Sequence, residues 1–237
     1  MHKAWKIAAI LSAALFVVVA VSLFSLYRAS QQVPRFYREA LALEPQEQRQ
    51  ASDRFIAQVT ALASDLHGSR RWQRLFTAQE INAWLGLELA NDYPELLSGQ
   101  LRDPRITIRD NEAIIACRYD NGTLATVLSL SLDVYLQEPH VLAIRIRHAR
   151  AGALPVPLGH VLEAISHAAG QLKLRLEWRK SHGDPVALVT LSDPSASGSH
   201  AVELQTIELR NDELYVAGKV GSTKDVVQSN TKPNADT

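Results

Sequence analysis

The chain of 237 residues has one cysteine, Cys117, and one methionine, Met1. A single thiol excludes an intramolecular disulfide, so the fold must rest on packing, whatever compartment holds it. Cys117 lies in a strand-like run, where a buried and inert thiol is expected. Net charge is equally scarce, with 25 Lys and Arg against 25 Asp and Glu. A neutral chain has no overall field to gather nucleic acid or anionic lipid, and nucleic acid is not an expected partner.

Catalytic signatures are also missing. The sequence contains no GxSxG, no Walker loop, no GxGxxG, no HExxH and no CxxC. His160 and His167 are seven positions apart on one helical segment, about 10 Å, which is too far to share a metal. Ser192, Asp193 and His200 bring triad residue types together in a serine-rich loop, a poor frame for holding three side chains in register. The chain is therefore expected to be non-catalytic, with no metal and no cofactor.

What is present begins with Ile7 to Tyr27, which holds no charge, proline or glycine. As a helix rising 1.5 Å per residue, that run spans about 30 Å, the thickness of a bilayer's hydrocarbon core. Lys3 and Lys6 precede it. A cleaved signal peptide is the competing reading, but the apolar run outlasts a usual signal core. A retained single-pass anchor over residues 1–28 is expected, with the membrane as partner through Ile7 to Tyr27. The short N-terminal tail is placed in the cytoplasm and the large C-terminal part outside, in the periplasm.

Residues 29–102 read as a helical membrane-proximal segment. Pro34 suits the first turn of a short helix carrying Phe36, Tyr37, Ala40 and Leu41. A longer helix starts at Pro45, with an apolar stripe of Phe55, Val59, Leu62 and Leu66 widened by Ile56 and Ala63. Thr77-Ala78-Gln79-Glu80 is a capping box, flanked by Phe76 and Ile81 as a hydrophobic staple. It opens a helix whose buried face is expected at Ile81, Trp84 and Leu85.

From Asp103 the hydrophobic period falls to two, and residues 103–220 read as an antiparallel sheet plus a helix. Arg105–Arg109, Ala113–Tyr119, Thr123–Leu136 and a strand through Leu142, Ile144 and Ile146 form a four-stranded meander. A helix opened by Pro157 carries Leu158, Val161, Leu162, Ile165 and Ala169 and is expected to cover the apolar face. Further strands follow at Leu174–Arg179 and Val186–Leu191, with a hairpin around Asn211-Asp212. Residues 221–237 are polar and expected to be disordered. Arg145, Arg147 and Arg150, with Arg175 and Arg179, read either as solvated sheet arginines or as a basic patch able to meet lipid headgroups.

The fold class is thus α+β: a transmembrane helix, a helical segment, then a curved antiparallel meander covered by a helix. Leu128, Leu130, Leu132, Leu142, Ile144, Leu158, Leu162 and Ile165 either close-pack as an ordinary core or line a groove for an apolar ligand.

VPRFY at Val33–Tyr37, FTAQEINAWL at Phe76–Leu85 and RIRHARAGALPVPLGHVL at Arg145–Leu162 resemble uncharacterised single-pass proteins of planctomycete-type bacteria. The Gly152–Leu162 part is also distantly similar to YpmS-like envelope proteins, which set an N-terminal anchor ahead of a threonine-capped helix. The resemblance implies family membership and assigns no reaction. A membrane-anchored envelope protein of structural or adaptor type is expected, with other envelope proteins as partners. Binding of a lipid or another apolar ligand between sheet and helix is the alternative.

Overall fold

The computed structural model describes residues 18–68, 71–94, 97, 99–138, 141–171, 174–190 and 201–221. The first part of the expected anchor, the Ser192/Asp193/His200 loop and the tail from residue 222 lie outside them. Residues 18–30 form helix α1. Among the described residues no helix is long and apolar enough to cross a membrane.

The chain then runs α2 (Arg35–Leu41), α3 (Pro45–Gly68), β1 (Arg71–Thr77), α4 (Ala78–Leu87) and α5 (Leu89–Asp92). Next come β2 (Leu101–Arg109), β3 (Glu112–Asp120), β4 (Ala125–Glu138), β5 (Val141–Ala151) and β6 (Leu154–Pro155). Helix α6 (Leu158–Gln171), β7 (Arg175–Ser181), β8 (Asp184–Thr190), β9 (Ala201–Arg210) and β10 (Glu213–Gly221) complete it. The larger sheet has the antiparallel order β2-β3-β4-β5-β8-β7, with β6 on β5; the smaller has the order β1-β10-β9. Mixed α and β structure with antiparallel sheets is as the change of period predicts.

Four local differences have physical reasons. The segment expected to be wholly helical supplies β1, which pairs along β10 from Arg71↔Lys219 to Thr77↔Glu213. Its arginines and glutamine hide the period of two, and only Trp72 and Phe76 are buried. On α3 the expected stripe holds in part: Phe55, Leu62 and Leu66 are half-buried, Phe55 against Phe76 and Trp84, but Val59, Ile56 and Ala63 face out and Ala51 and Ser52 are the buried residues. Small residues let α3 approach its neighbours more closely than its larger aliphatics could. On α4 the buried set is Ala78, Glu80, Asn82 and Ala83, with Ile81, Trp84 and Leu85 only half-buried. Pro34 stands at the N-cap of α2, and Pro157 likewise precedes the first helical residue of α6.

The cover of the meander also differs from expectation. Among the described residues, helix α6 packs chiefly against β5 and β7. Over β2, β3 and β4 the apolar face meets β9 and α4, where Ala78, Ile108, Ala113 and Leu209 bury together with Ile81, Val134 and Leu214 against them. The opposite face of β3 and β4 is closed by Tyr37 of α2 on Ala116 and Val127. The Tyr37 hydroxyl donates to the Asp103 carbonyl at 2.9 Å.

Strand β2 ends its sheet inside the molecule, so its outward backbone groups need partners from elsewhere. Pro104 has no N–H to satisfy, and its carbonyl accepts from Arg105 Nη1 at 2.7 Å. Ile106 is met by the Asn82 side chain: the Ile106 N–H donates to Oδ1 at 2.6 Å, and Nδ2 donates to the Ile106 carbonyl at 2.8 Å. Ile108 is met by Asp212, whose N–H donates to the Ile108 carbonyl at 3.0 Å while its carboxylate accepts the Ile108 N–H at 3.3 Å. Asp212 sits in a two-residue turn with Asn211, both at positive φ (59° and 51°), the primed geometry that matches strand twist. Its carbonyl accepts from the Ala78 N–H at 2.7 Å, tying the turn to α4.

Asn82→Ala leaves the donor and the acceptor of Ile106 unpaired at a site 8% exposed. The expected loss is about 2–4 kcal/mol, read as a lower urea midpoint with the m-value unchanged. A loss under about 0.5 kcal/mol, the size of an ordinary surface change, would show that Asn82 does not hold the edge.

Candidate functional site

The larger sheet presents two chemically different faces. Register places Leu128 opposite Cys117 and Ala151, Leu130 opposite Ile115 and Ala149, and Leu132 opposite Ala113 and Ile146. Ile144 and Leu142 continue that face beside Ala187 and Val189 of β8. The five sheet residues of the expected groove therefore do share one face. The other three, Leu158, Leu162 and Ile165, lie on α6, whose nearest strands are β5 and β7; Trp178 Nε1 donates to Ser166 Oγ at 2.8 Å across that contact. Leu132 is buried and the other seven are half-buried. Ile115, between β9 and the open side, remains 39% exposed. None of the eight lines any of the five clefts found on the surface.

Cys117 belongs to this face. Burial pushes its thiol up from 9.0 to about 11. It is a free thiol of low reactivity, as its place in a strand suggests.

The second face carries Arg109, Glu112, Ser129, Ser131, Asp133, Tyr135, Arg145 and Arg150. Asp133 organises its middle, accepting from Arg147 Nε at 2.7 Å with Arg145 Nη1 at 4.0 Å. That hydrogen bond holds the Arg147 guanidinium above its usual range, though Arg147 is exposed. Arg145 lies with its guanidinium carbon 5.8 Å from the Tyr135 ring centre. Two clefts open on this face. One, of about 610 Å³, lies beside Asp110, Glu112, Asp133, Arg145 and Arg147. The other, of about 460 Å³, is walled by residues 32–36 and floored by Arg109, Ser129, Ser131, His148 and Arg150. Glu112 and His148 line both, so the clefts are neighbours.

A further cleft of about 450 Å³ lies where α2, α4, β2 and the Asn211-Asp212 turn meet. Its conspicuous polar groups already have structural partners. Glu80 at the neighbouring capping box accepts from the Thr77 N–H (3.1 Å), Gln58 Nε2 (3.2 Å) and Arg54 Nε (3.4 Å), so its carboxylate binds α3 to α4. Arg105 is buried nearby, donating to the carbonyls of Ala40 and Pro104. Burial pulls its pKa down, and Asp103 opposes this. Among the described residues no three His, Cys, Asp or Glu side chains are grouped to hold a metal. His160 and His167 are both exposed, His160 beside Glu163 at 3.9 Å.

The joint between α1 and the sheet is the most specific construction near these faces. Thr126 Oγ1 donates to the Ser30 carbonyl at 2.6 Å, Gln31 Nε2 to the Ala125 carbonyl at 2.7 Å, and the Ala153 N–H to the Ala29 carbonyl at 2.9 Å. Gly152 makes the approach possible. It sits at φ 58°, and a Cβ there would strike the backbone carbonyls of Ala29 and Ser30. No sequence signal pointed to this joint beyond the glycine itself.

No family model matches the chain, and no curated protein or solved structure is similar to it.

At pH 8 a thiol with a pKa of about 11 holds roughly a hundredfold less thiolate than one at 9. Cys117 should therefore alkylate with iodoacetamide about a hundredfold more slowly in the native chain than in urea, its rate rising about tenfold per pH unit towards pH 11. Equal rates at pH 8 would mean that the apolar face opens freely.

Proposed function

We propose that the chain is a membrane-anchored, extracytoplasmic and non-catalytic domain serving as a structural or adaptor protein of the cell envelope. The observation that carries this reading is α1 and its joint. The large apolar side chains of α1 from Val18 to Tyr27 are 47–63% exposed. Apolar surface of that kind calls for a lipid or protein environment. The helix does not end in a flexible linker. Its last turn is pinned to β4 and to the turn after β5 by the three hydrogen bonds above, so a membrane span continued by α1 would carry the sheets at a fixed attitude. The outward Ile56 and Val59 of α3, both over 40% exposed, offer a partner-binding surface. The buried polar groups Glu80, Asn82, Arg105 and Thr126 have structural partners, which fits a binding role better than a reaction.

A second reading has its own observation. The apolar face is left incompletely covered between β9 and α6, at Ile115, Leu128 and Leu130, in the rows nearest the joint. A single acyl chain is the ligand of matching chemistry. Native mass spectrometry of the full chain, released from membranes, separates the readings: a stoichiometric lipid favours the groove, and a bare mass favours the adaptor alone.

The anchor is tested by washing membranes at alkaline pH. The full chain should stay in the pellet, and external protease should digest the sheets in spheroplasts; release into the wash would sink the proposal. The joint is tested by Gly152→Ala, which should cost about 1–3 kcal/mol and open new tryptic sites at Arg28 and Arg35. An unchanged digestion pattern would mean that α1 is not held by the sheet.

A further inference from the structure

Residues 29–34, 121–132 and 151–159 contain no charged side chain and no histidine. In a chain with 21% charged residues, three such runs are a local depletion. The fold brings them to one place. Gln31 Nε2 donates to the Ala125 carbonyl at 2.7 Å, and the Ala153 N–H to the Ala29 carbonyl at 2.9 Å. The Gly152 N–H donates to the Val127 carbonyl at 2.8 Å. The three runs thus meet where α1 ends, where β3 turns into β4 and where β5 turns into β6. They make an uncharged collar around the root of α1. Residues 18–28 are all exposed, about three turns of helix with no covered side, so α1 leaves the sheets at this collar.

The surface of the collar is apolar and its backbone donors are already used. Val33 is 39% and Leu124 36% exposed, and Ala153, Pro155 and Pro157 are exposed beside them. All four N–H groups of the β3–β4 turn are bonded within it. Asn121 donates to the Leu124 carbonyl at 3.3 Å and Gly122 to Asp120 Oδ1 at 2.9 Å. Thr123 and Leu124 donate to Asn121 Oδ1 at 3.0 and 2.8 Å. At β6 the N–H groups of Ala153 and Val156 donate to the carbonyls of Ala29 and Ala149, and the two prolines have none. In water an exposed turn has no need to satisfy its own donors. In a layer poor in water it does.

On the anchor reading proposed above, on which this inference rests, the depth of the collar follows from the joint. The Gln31 N–H still donates to the Tyr27 carbonyl, so four helical residues, about 6 Å, separate the two. The polar layer of a leaflet, between a core of about 30 Å and a bilayer of about 40–45 Å, is about 5–8 Å deep. With Tyr27 at the edge of the core, Gln31 and the Ala125 bonded to it stand inside that layer. Leu124 is the next residue.

We propose that the collar is a second membrane contact, in which Val33 and Leu124 enter the interfacial layer of the leaflet that α1 crosses. The partner is the lipid surface itself, because the collar is continuous with α1. With no charge of its own, the collar selects no headgroup, so zwitterionic lipid suffices. Arg28, Arg35 and Arg150 border the uncharged runs, where long side chains can reach headgroups or water.

The test uses the full chain in phosphatidylcholine nanodiscs, carrying a fluorophore on a cysteine introduced by Leu124→Cys or Val33→Cys. Both side chains are exposed, so the label displaces no packing, and the unsubstituted chain, treated alike, gives the background from Cys117. Leu174→Cys is the control. Leu174 is apolar and 46% exposed but precedes β7 at the far end of the sheet, where Arg175 pairs with Thr190 and Thr190 with Val141. Lipid bearing a nitroxide near its headgroup should quench the labels at positions 124 and 33 and leave the label at 174 bright. Quenching at 124 and 33 no greater than at 174 would overturn the collar. A label introduced by Leu23→Cys on α1 separates the two proposals. If lipid with a nitroxide deep in its acyl chain quenches it while the labels at 124 and 33 stay bright, the collar alone is refuted. If the α1 label is not quenched, the anchor is refuted.

Discussion

A strand that ends its sheet inside a folded chain directs every second N–H and C=O towards groups that are not another strand, and β2 is such a strand. Three devices along it answer this requirement in turn: a proline that removes one donor, an asparagine amide that copies one peptide unit, and a hairpin turn that supplies another. The rest of the architecture follows from where those devices must stand. Asn82 can reach Ile106 only if α4 begins at Thr77, and the reciprocal Thr77–Glu80 bonds set that start. The same Glu80 carboxylate accepts from Arg54 and Gln58, so α3 is drawn in by the group that caps α4. Asp212 can reach Ile108 only if β9 and β10 turn there, which brings the smaller sheet onto the apolar face of the larger one.

Closing the edge in this way decides how the two sheet faces are used. With β9 and α4 over β2, β3 and β4, α6 is left with β5 and β7, and a strip of leucines remains half-covered between them. The reverse face is closed by α2 through Tyr37 at one end and buries Ala143, Val186 and Leu188 beside Tyr135 and Val141 at the other, with charged side chains on the stretch between. The surplus of apolar surface on the first face falls in the rows of Leu128 and Leu130, towards the end where α1 joins.

How much of this the sequence revealed depended on how far each interaction reaches. The capping box was legible because both partners lie within four residues and the bonding is fixed by local geometry. The meander was legible because alternation over long strands leaves no helical reading. Asn82 was not, because its partner is a peptide group 24 residues away and any residue type can supply a backbone. β1 was missed for a related reason: it is two buried aromatics among arginines, and only its pairing with β10, more than 130 residues on, makes it a strand. The face of α3 was half-legible: Phe55, Leu62 and Leu66 turn inward as their stripe suggests, but Ala51 and Ser52 mark the closest approach, and Ile56 and Val59 lie outside. The eight groove residues were half-legible. Alternation put five of them on one face, but nothing in their spacing could show that β9 would compete with α6 for it.

The joint at Gly152 constrains function more than either face does alone. A domain on a flexible tether presents all of its surfaces to the bilayer in turn, so an apolar strip near its root would have no special standing. Here a residue at positive φ admits two carbonyls of α1 where any side chain would exclude them, and three hydrogen bonds close around that contact. Rotation about the junction would break all of them together. The attitude of the sheets relative to α1 is therefore a property of the fold. On the proposed reading, the surface that meets the membrane is the same in every molecule, and α3, with Ile56 and Val59, is left for another protein.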